Sequence, residues 1–305
     1  MLDHLTKTVH KSVYPAIDPS RPALSAAGKT IIISGGASGI GLLTAEAFSA
    51  AGAARVVILA RRQQALDEAF AKLNSENVSA GRSTEIWTYL LDITDKVATE
   101  DVFDNIRHRL NENEPNKEAF DADVLVTSAA YFVLGHSTLE YDINEYTKSF
   151  GTNVGGNLNL VRAFLAPEIP SIPFNKVILD VSAAAAYMTI PGQSPYAASK
   201  LAYTHIMRSL QSELDAIKGK PIRIHYFHPG VVYTPGVAKS LNKDGVTFEF
   251  DDESLPGAFA VWLASSEAEF LRGRFVMSAW DVDELKAMKL RYESDPKFGT
   301  ITLVY

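Results

Sequence analysis

Short apolar, β-branched runs alternate along this chain with longer stretches in which apolar residues recur at helical spacing. The runs are KTIIIS (29 to 34), ARVVILA (54 to 60), TEIWTYLL (84 to 91), ADVLVT (122 to 127), NKVILDV (175 to 181), IRIHYF (222 to 227) and GRFVM (273 to 277). Seven strands separated by helix-length segments predict an α/β fold, a doubly wound parallel sheet with helices on both faces. The continuous apolar character of IIIS, VVILA and VILDV suits strands buried from both sides. Residues 1 to 28 carry Pro15, Pro19 and Pro22 without sustained periodicity and predict an irregular arm lying on a domain of residues 29 to 277. Between the last two strands, Gly, Pro and charges cluster in 233 to 257, which predicts a long loop or lid. Residues 278 to 305, with Trp280 and WDVDEL, are expected to extend the same domain over its core or a subunit interface.

The 305 residues, 47% hydrophobic and 21% charged, suit a globular protein with a sizeable core. A net charge of −7 argues against nucleic acid, whose phosphates need a basic face. Without cysteine there is neither a disulfide framework nor thiolate chemistry. His136, His205, His225 and His228 lack metal-ligand spacing, so no metal is expected. No stretch reaches the roughly 18 apolar residues of a membrane span, and the amino-terminal segment lacks a signal-peptide core. A soluble cytoplasmic protein is the expectation.

Chemistry enters with SGGASGIG, residues 34 to 41, which follows the first strand and opens a helix. Glycines at 35, 39 and 41 let the backbone come close to a pyrophosphate at the positive end of the helix dipole. After the second strand, where an acid would accept from an unphosphorylated ribose, stand Ala60, Arg61 and Arg62. Guanidinium matches a 2′-phosphate, so NADP(H) is the expected cofactor.

Tyr196 and Lys200 lie four apart in a segment of helical periodicity and so share a face. A phenol is a poor acid at neutral pH, and a fixed ammonium beside it favours the phenolate, making the tyrosine a usable proton donor.

The glycine loop, Asp92 in LLDITD, an apolar fourth strand and Tyr-x-x-x-Lys after the fifth, in this order and spacing, resemble the short-chain dehydrogenase/reductase family over residues 29 to about 277. The resemblance implies a Rossmann fold and carbonyl reduction or alcohol oxidation by hydride transfer with NADP(H). It makes Gly35, Gly39 and Gly41, with Ser38 and Ile40 between them, the pyrophosphate loop. Asp92 and Ile93 would contact the adenine, and Ala129 would belong to the adenosine-side wall. Tyr196 would be the acid/base, Lys200 would hold the nicotinamide ribose and lower the tyrosine pKa, and Asn153 would anchor a relay water. PGVVYT (229 to 234) would line the nicotinamide through Pro229, Gly230 and Val232, with Thr234 reaching its carboxamide or the phosphates. The arm, LPGAFAVWLASSEAEFLRGRF and WDVDEL are similar to a fungal branch of the family, some members of which act in secondary metabolism. Family members commonly pair through the helices bearing the Asn and the Tyr, here roughly 143 to 165 and 195 to 217, which implies a homodimer or homotetramer.

Two departures stand out. Where the family has Asn-Asn-Ala-Gly, this chain has Thr127-Ser128-Ala129-Ala130, and alanine cannot adopt glycine's positive φ cheaply. The family's catalytic serine, thirteen residues before the tyrosine, is here Ala183. An oxyanion donor is worth about 3 kcal/mol, so its loss would slow a reductase a hundredfold or more. Ser182 could swing in if the strand bulges, or Tyr187, Thr189 or Ser194 could reach over. The pocket is expected to be lined by Tyr131, Phe132, Val133, Ala184, Tyr187 and Met188, which suits a hydrophobic small molecule. Three functions follow: an NADP(H)-dependent reductase of a ketone, or oxidant of the alcohol, in a fungal polyketide or terpenoid; a non-redox isomerase, dehydratase or cyclase; and a non-catalytic NADP(H)-binding protein.

Overall fold

A computed structural model describes residues 5–112, 120–166, 175–217, 222–239 and 248–301. Its core is one parallel sheet in the order β3-β2-β1-β4-β5-β6-β7. The strands are β1 (Thr30–Ser34), β2 (Arg55–Ala60), β3 (Glu85–Leu90), β4 (Val124–Thr127), β5 (Val177–Val181), β6 (Arg223–His228) and β7 (Phe275–Met277). The helices are α1 (Gly39–Ala50), α2 (Gln63–Ser79), α3 (Lys96–Asn111), α4 (Ile143–Phe150), α5 (Asn157–Leu165), α6 (Ser194–Asp215), α7 (Pro235–Ala238), α8 (Ser254–Ala264), α9 (Val282–Ala287) and α10 (Lys289–Ser294). All seven expected strands are present, each within two residues of its expected ends. None of the described helices is long and apolar enough to cross a membrane.

Successive strand side chains point to opposite faces, so a doubly covered sheet needs apolar residues at every position. Ile31 and Ile33 of β1, with Val56 and Ile58 of β2, pack in the layer holding α1, α2 and α8. Ile32, Val57 and Leu59 pack in the opposite layer with α3, α5 and α6. Helix α8 is buried from Leu255 to Ala264, which is why it is apolar all round. Gly257 lets it press onto α1, since a Cβ there would collide with the Leu43 carbonyl oxygen.

The stretch expected as one loop, 233 to 257, divides. It begins with α7, residues 240 to 247 lie outside the described residues, and Ser254 already starts α8. The proline and glycine of SLPG read as loop in the sequence, but Pro256 sits in the first turn, where a missing N–H costs nothing.

The arm buries Ile17 and Leu24 in the α8-side core. It also meets the end of the described chain: Val9 forms an isolated antiparallel bridge with Trp280, and the Glu284 carboxylate accepts from the backbone N–H groups of Lys7 and Thr8 at 2.7 and 2.9 Å. At the outer edge of the sheet, the Phe275 N–H donates to the Gly299 carbonyl at 2.8 Å. Strand order reverses between β1 and β4, and a cleft opens at the carboxyl ends of the strands there, as expected for open α/β sheets.

Candidate active site

The cleft encloses ≈ 740 Å³, within the range of small-molecule sites. One side is the loop between β1 and α1. Gly35 has φ +65° there, and a Cβ would stand 3.0 Å from the Ala129 backbone, while a Cβ on Gly41 would collide with the Gly35 carbonyl oxygen. The loop therefore keeps a tight path that leaves bare backbone facing the cleft at the start of α1. Ser34 Oγ accepts from the N–H groups of Ser128 and Ala129, both at 3.1 Å, tying the 127–130 stretch to it. Ala130 has no positive φ, so this stretch takes a course that does not need the expected glycine.

Arg61 and Arg62 also line the cleft. The Arg61 guanidinium lies 3.9 Å from Asp92 with more than half of its side chain exposed. Asp92 itself faces Thr94, accepting from its N–H and hydroxyl at 2.9 and 2.8 Å, and leaves Leu91 and Ile93 to line the cleft. Close-approach glycines, a helix N-terminus and an exposed guanidinium form a donor set that fits a dinucleotide. Gly35, Ser38, Gly39, Ile40, Arg61 and Ile93 are the residues that would hold it.

At the other end, Tyr196 and Lys200 occupy successive turns of α6 and both line the cleft. Lys200, only 1% exposed, donates from Nζ to the Val181 carbonyl at 2.7 Å and lies 5.9 Å from the Tyr196 ring centroid. The Phe132 ring meets Tyr196 edge-on at 4.9 Å. Burial, with a smaller contribution from the Asp180 carboxylate, pushes the Tyr196 phenol above its ordinary pKa. The net direction is upward, opposite to the lowering expected from Lys200, because helical spacing gives the shared face but not the depth. Burial likewise lowers Lys200, against the opposing pull of Asp180.

Asn153 is buried in a π-helical turn, Gly151–Gly156, between α4 and α5. Such turns often mark functional positions. Its Oδ1 accepts from the Tyr131 N–H at 2.6 Å, and its Nδ2 donates to the Tyr131 carbonyl at 3.0 Å and to Ser199 Oγ at 2.9 Å. Its side-chain amide is thus engaged with protein groups that fix the segment leading to Phe132.

Beyond β5 the chain runs through Ser182 and Ala183 into a single 3₁₀ turn, Ala184–Ala186. The Ser182 hydroxyl shares a 3.0 Å hydrogen bond with Thr204 Oγ1 of α6 and is buried. Ser182 nevertheless lines the cleft beside Ala183, with its hydroxyl turned to Thr204. Tyr187 packs against Phe275 at 5.3 Å and its hydroxyl meets Met277 Sδ at 3.9 Å. Ser194 Oγ pairs with Tyr146 at 2.8 Å. Tyr187, Thr189 and Ser194 are absent from the cleft lining. So are Tyr131, whose hydroxyl donates to Glu145 at 2.6 Å, and Val133. Phe132, Ala184 and Met188 do line the cleft, as do Ala129, Pro229, Gly230, Val232 and Thr234.

The structure adds lining residues that sequence reasoning missed, among them Thr152, Ile190, Gln193 and His228. His228 Nδ1 accepts from the Ala184 N–H at 3.2 Å, which places a ring proton on Nε2 in the neutral form. Gln193 precedes α6, and its side chain does not cap that helix. Its neighbours are pinned: the Gly192 carbonyl accepts from Tyr141 Oη at 2.6 Å, and Ser194 is held by Tyr146.

Known proteins resemble this chain in sequence and in fold. The family model described as short chain dehydrogenase matches residues 29–245. A short chain dehydrogenase/reductase of Claviceps purpurea is 36% identical over 299 residues, covering 98% of this chain and 94% of the relative. The short chain dehydrogenase/reductase nsrO of Aspergillus novofumigatus is 34% identical over 300 residues, covering 98% and 96%. Among solved structures, a short chain dehydrogenase/reductase family protein matches with TM-score 0.65 at 26% identity, covering 84% of this chain and 98% of its own. A 7α-hydroxysteroid dehydrogenase, solved with NADH and 7-oxo glycochenodeoxycholic acid, shares the fold at TM-score 0.69 and 20% identity, covering 88% and 97%.

Proposed function

Since this chain belongs to the short-chain dehydrogenase/reductase family, oxidoreductases that use a nicotinamide cofactor, we propose that it is an NADP(H)-dependent reductase of a ketone on a hydrophobic small molecule. The observation that carries the reading is that Tyr196, Lys200 and the glycine loop line one cleft. Arg61 at its mouth, with no acid at the end of β2, favours a 2′-phosphate over a bare ribose. Ala183, Ala184, Met188, Ile190, Phe132 and Val231 give the substrate end an apolar lining. Fungal relatives fit a substrate from secondary metabolism. Exposed apolar Ile143 and Phe150, the first and last residues of α4, and Leu201 on α6 favour pairing of two copies through those helices. The cytoplasm is the proposed location.

Held by Gly35, Ser38, Gly39, Ile40, Arg61 and Ile93, a reduced nicotinamide cofactor would supply the hydride that reduces a ketone. Tyr196 delivers a proton to the carbonyl oxygen, giving the alcohol, and its O–H bond yields only when the oxygen becomes basic, because burial disfavours the phenolate. Lys200 opposes that penalty with its charge. Gln193 takes the place that Ala183 leaves, donating from Nε2 to the same oxygen, while Asn153 fixes Tyr131 and so the Phe132 wall against the tyrosine ring.

The test is to incubate the purified chain with NADPH or NADH and a panel of polycyclic aromatic ketones, following both cofactor absorbance and product. The expected result is alcohol formed in step with NADPH oxidation and much slower reaction with NADH. Substrate conversion at constant cofactor absorbance would mean a non-redox reaction and end the reductase reading.

A further inference from the structure

β5 ends in Asp180-Val181, and both residues act on Lys200. The Val181 carbonyl accepts from its Nζ, and the Asp180 carboxylate works on it through charge, favouring the ammonium that burial disfavours. Asp180 is fully buried, as is Lys200. The groups facing it come from three elements. From β4, Thr127 Oγ1 donates to Asp180 Oδ1 at 3.3 Å. From β6, Tyr226 is its register partner. From α6 come Tyr196, Lys200 and Tyr203. Asp180 Oδ2 has no hydrogen-bond partner among the described residues.

A carboxylate buried with a single hydrogen bond persists in charged form only beside a cation, and a buried ammonium with a single carbonyl ligand needs an anion for the same reason. In this pocket each charge favours the other, Lys200 drawing Asp180 down and Asp180 drawing Lys200 up, each against the larger effect of burial. We propose that Asp180 is a positioning residue, the internal counter-ion that keeps Lys200 protonated and seated on Val181; calling it so rests on reading Tyr196 and Lys200 as the acid–base pair. The arrangement also ties Tyr196 to the pH of the medium. Burial raises the Asp180 carboxyl to about 6, and once protonated it no longer opposes ionisation of the Tyr196 phenol.

Carbon-13 NMR of the full-length protein labelled on lysine Cε, with the Lys200 resonance assigned from Lys200→Met, tests this directly. In the wild-type protein the resonance is expected to move in a step near pH 6 as Asp180 protonates. In Asp180→Asn the step disappears and the midpoint of Lys200 itself falls by about one pH unit or more. A wild-type resonance flat through that range, or an unchanged midpoint in Asp180→Asn, overturns the proposal, and the first of these needs no variant to fold. A protein that shows the step but oxidises no NADPH would sink the reductase reading while leaving the Asp180–Lys200 coupling intact. An active protein without the step would do the reverse.

Discussion

Asn153 holds both polar groups of one residue's backbone: Tyr131 donates its N–H to Oδ1 at 2.6 Å and accepts at its carbonyl from Nδ2 at 3.0 Å. The same Nδ2 reaches Ser199 Oγ, which donates to the Tyr196 carbonyl at 2.7 Å, so one buried amide joins the loop after β4 to the first turns of α6. Asn153→Ala leaves buried polar groups unpaired, and its expected cost is about 1–3 kcal/mol in urea unfolding. Turnover should fall with it, because Phe132 is no longer held against Tyr196.

Tyr196→Phe removes the proton donor and little else, since the ring keeps its edge-on contact with Phe132. Turnover with a ketone is expected to drop by roughly 10²–10⁴. Cofactor binding, read by quenching of protein fluorescence, should stay near wild type.

Ala183→Ser and Gln193→Leu address the missing hydroxyl together. If Gln193 donates to the carbonyl oxygen, Gln193→Leu lowers turnover by about 10²-fold. Ala183→Ser alone changes little, and added to Gln193→Leu it restores much of the loss, a non-additivity expected of two groups serving one atom. Equal effects of Ala183→Ser in both backgrounds would remove Gln193 from this role.

Arg61→Ala should weaken NADPH by about 10–100-fold, the value of charge-assisted hydrogen bonds to a phosphate, and leave NADH almost unchanged. The comparison is made by titrating each reduced cofactor. A loss shared equally by both would mean that Arg61 serves the glycine-loop side of the cleft instead.

Two buried groups tilt stability in opposite directions with pH. The folded state raises Asp180 from 3.8 to about 6, so it binds that proton more tightly than the unfolded chain, and the group's contribution to stability falls as pH rises through this window. Burial lowers His225 from 6.5 to about 3, so its contribution is fully present above 6.5 and is lost as pH falls. Relative to wild type, Asp180→Asn should gain stability between about pH 4 and pH 6, and His225→Gln should lose less on acidification. Urea midpoints measured across this range read both.

The sheet and the glycine loop were legible in the sequence because both are written locally, as apolar runs and as closely spaced glycines. The lining of the substrate end was not. Tyr131 and Tyr187 read as pocket aromatics, yet Glu145 claims one hydroxyl and the other ring lies on Phe275, which reaches it only because β7 closes the sheet beside β6. Gln193 faces the cleft because Tyr141 and Tyr146 hold the residues on either side of it, contacts spanning about fifty positions that no spacing rule contains. The pull of Lys200 on Tyr196 was read from proximity alone. Depth of burial, which only the folded chain sets, decides the direction.

The hydrogen bond from Phe275 to Gly299 has a meaning for the molecule's conduct in a crowded solution. A bare border strand is a template on which another chain can lay itself down, and proteins avoid this by covering such borders. Here the segment after α10 serves as that cover, clasped by Tyr292 on Phe298 and by Arg208 on the Ile301 carbonyl. Trimming it would strip an apolar strand bare, and the first symptom would be precipitation on concentration, well before any fault in the chemistry.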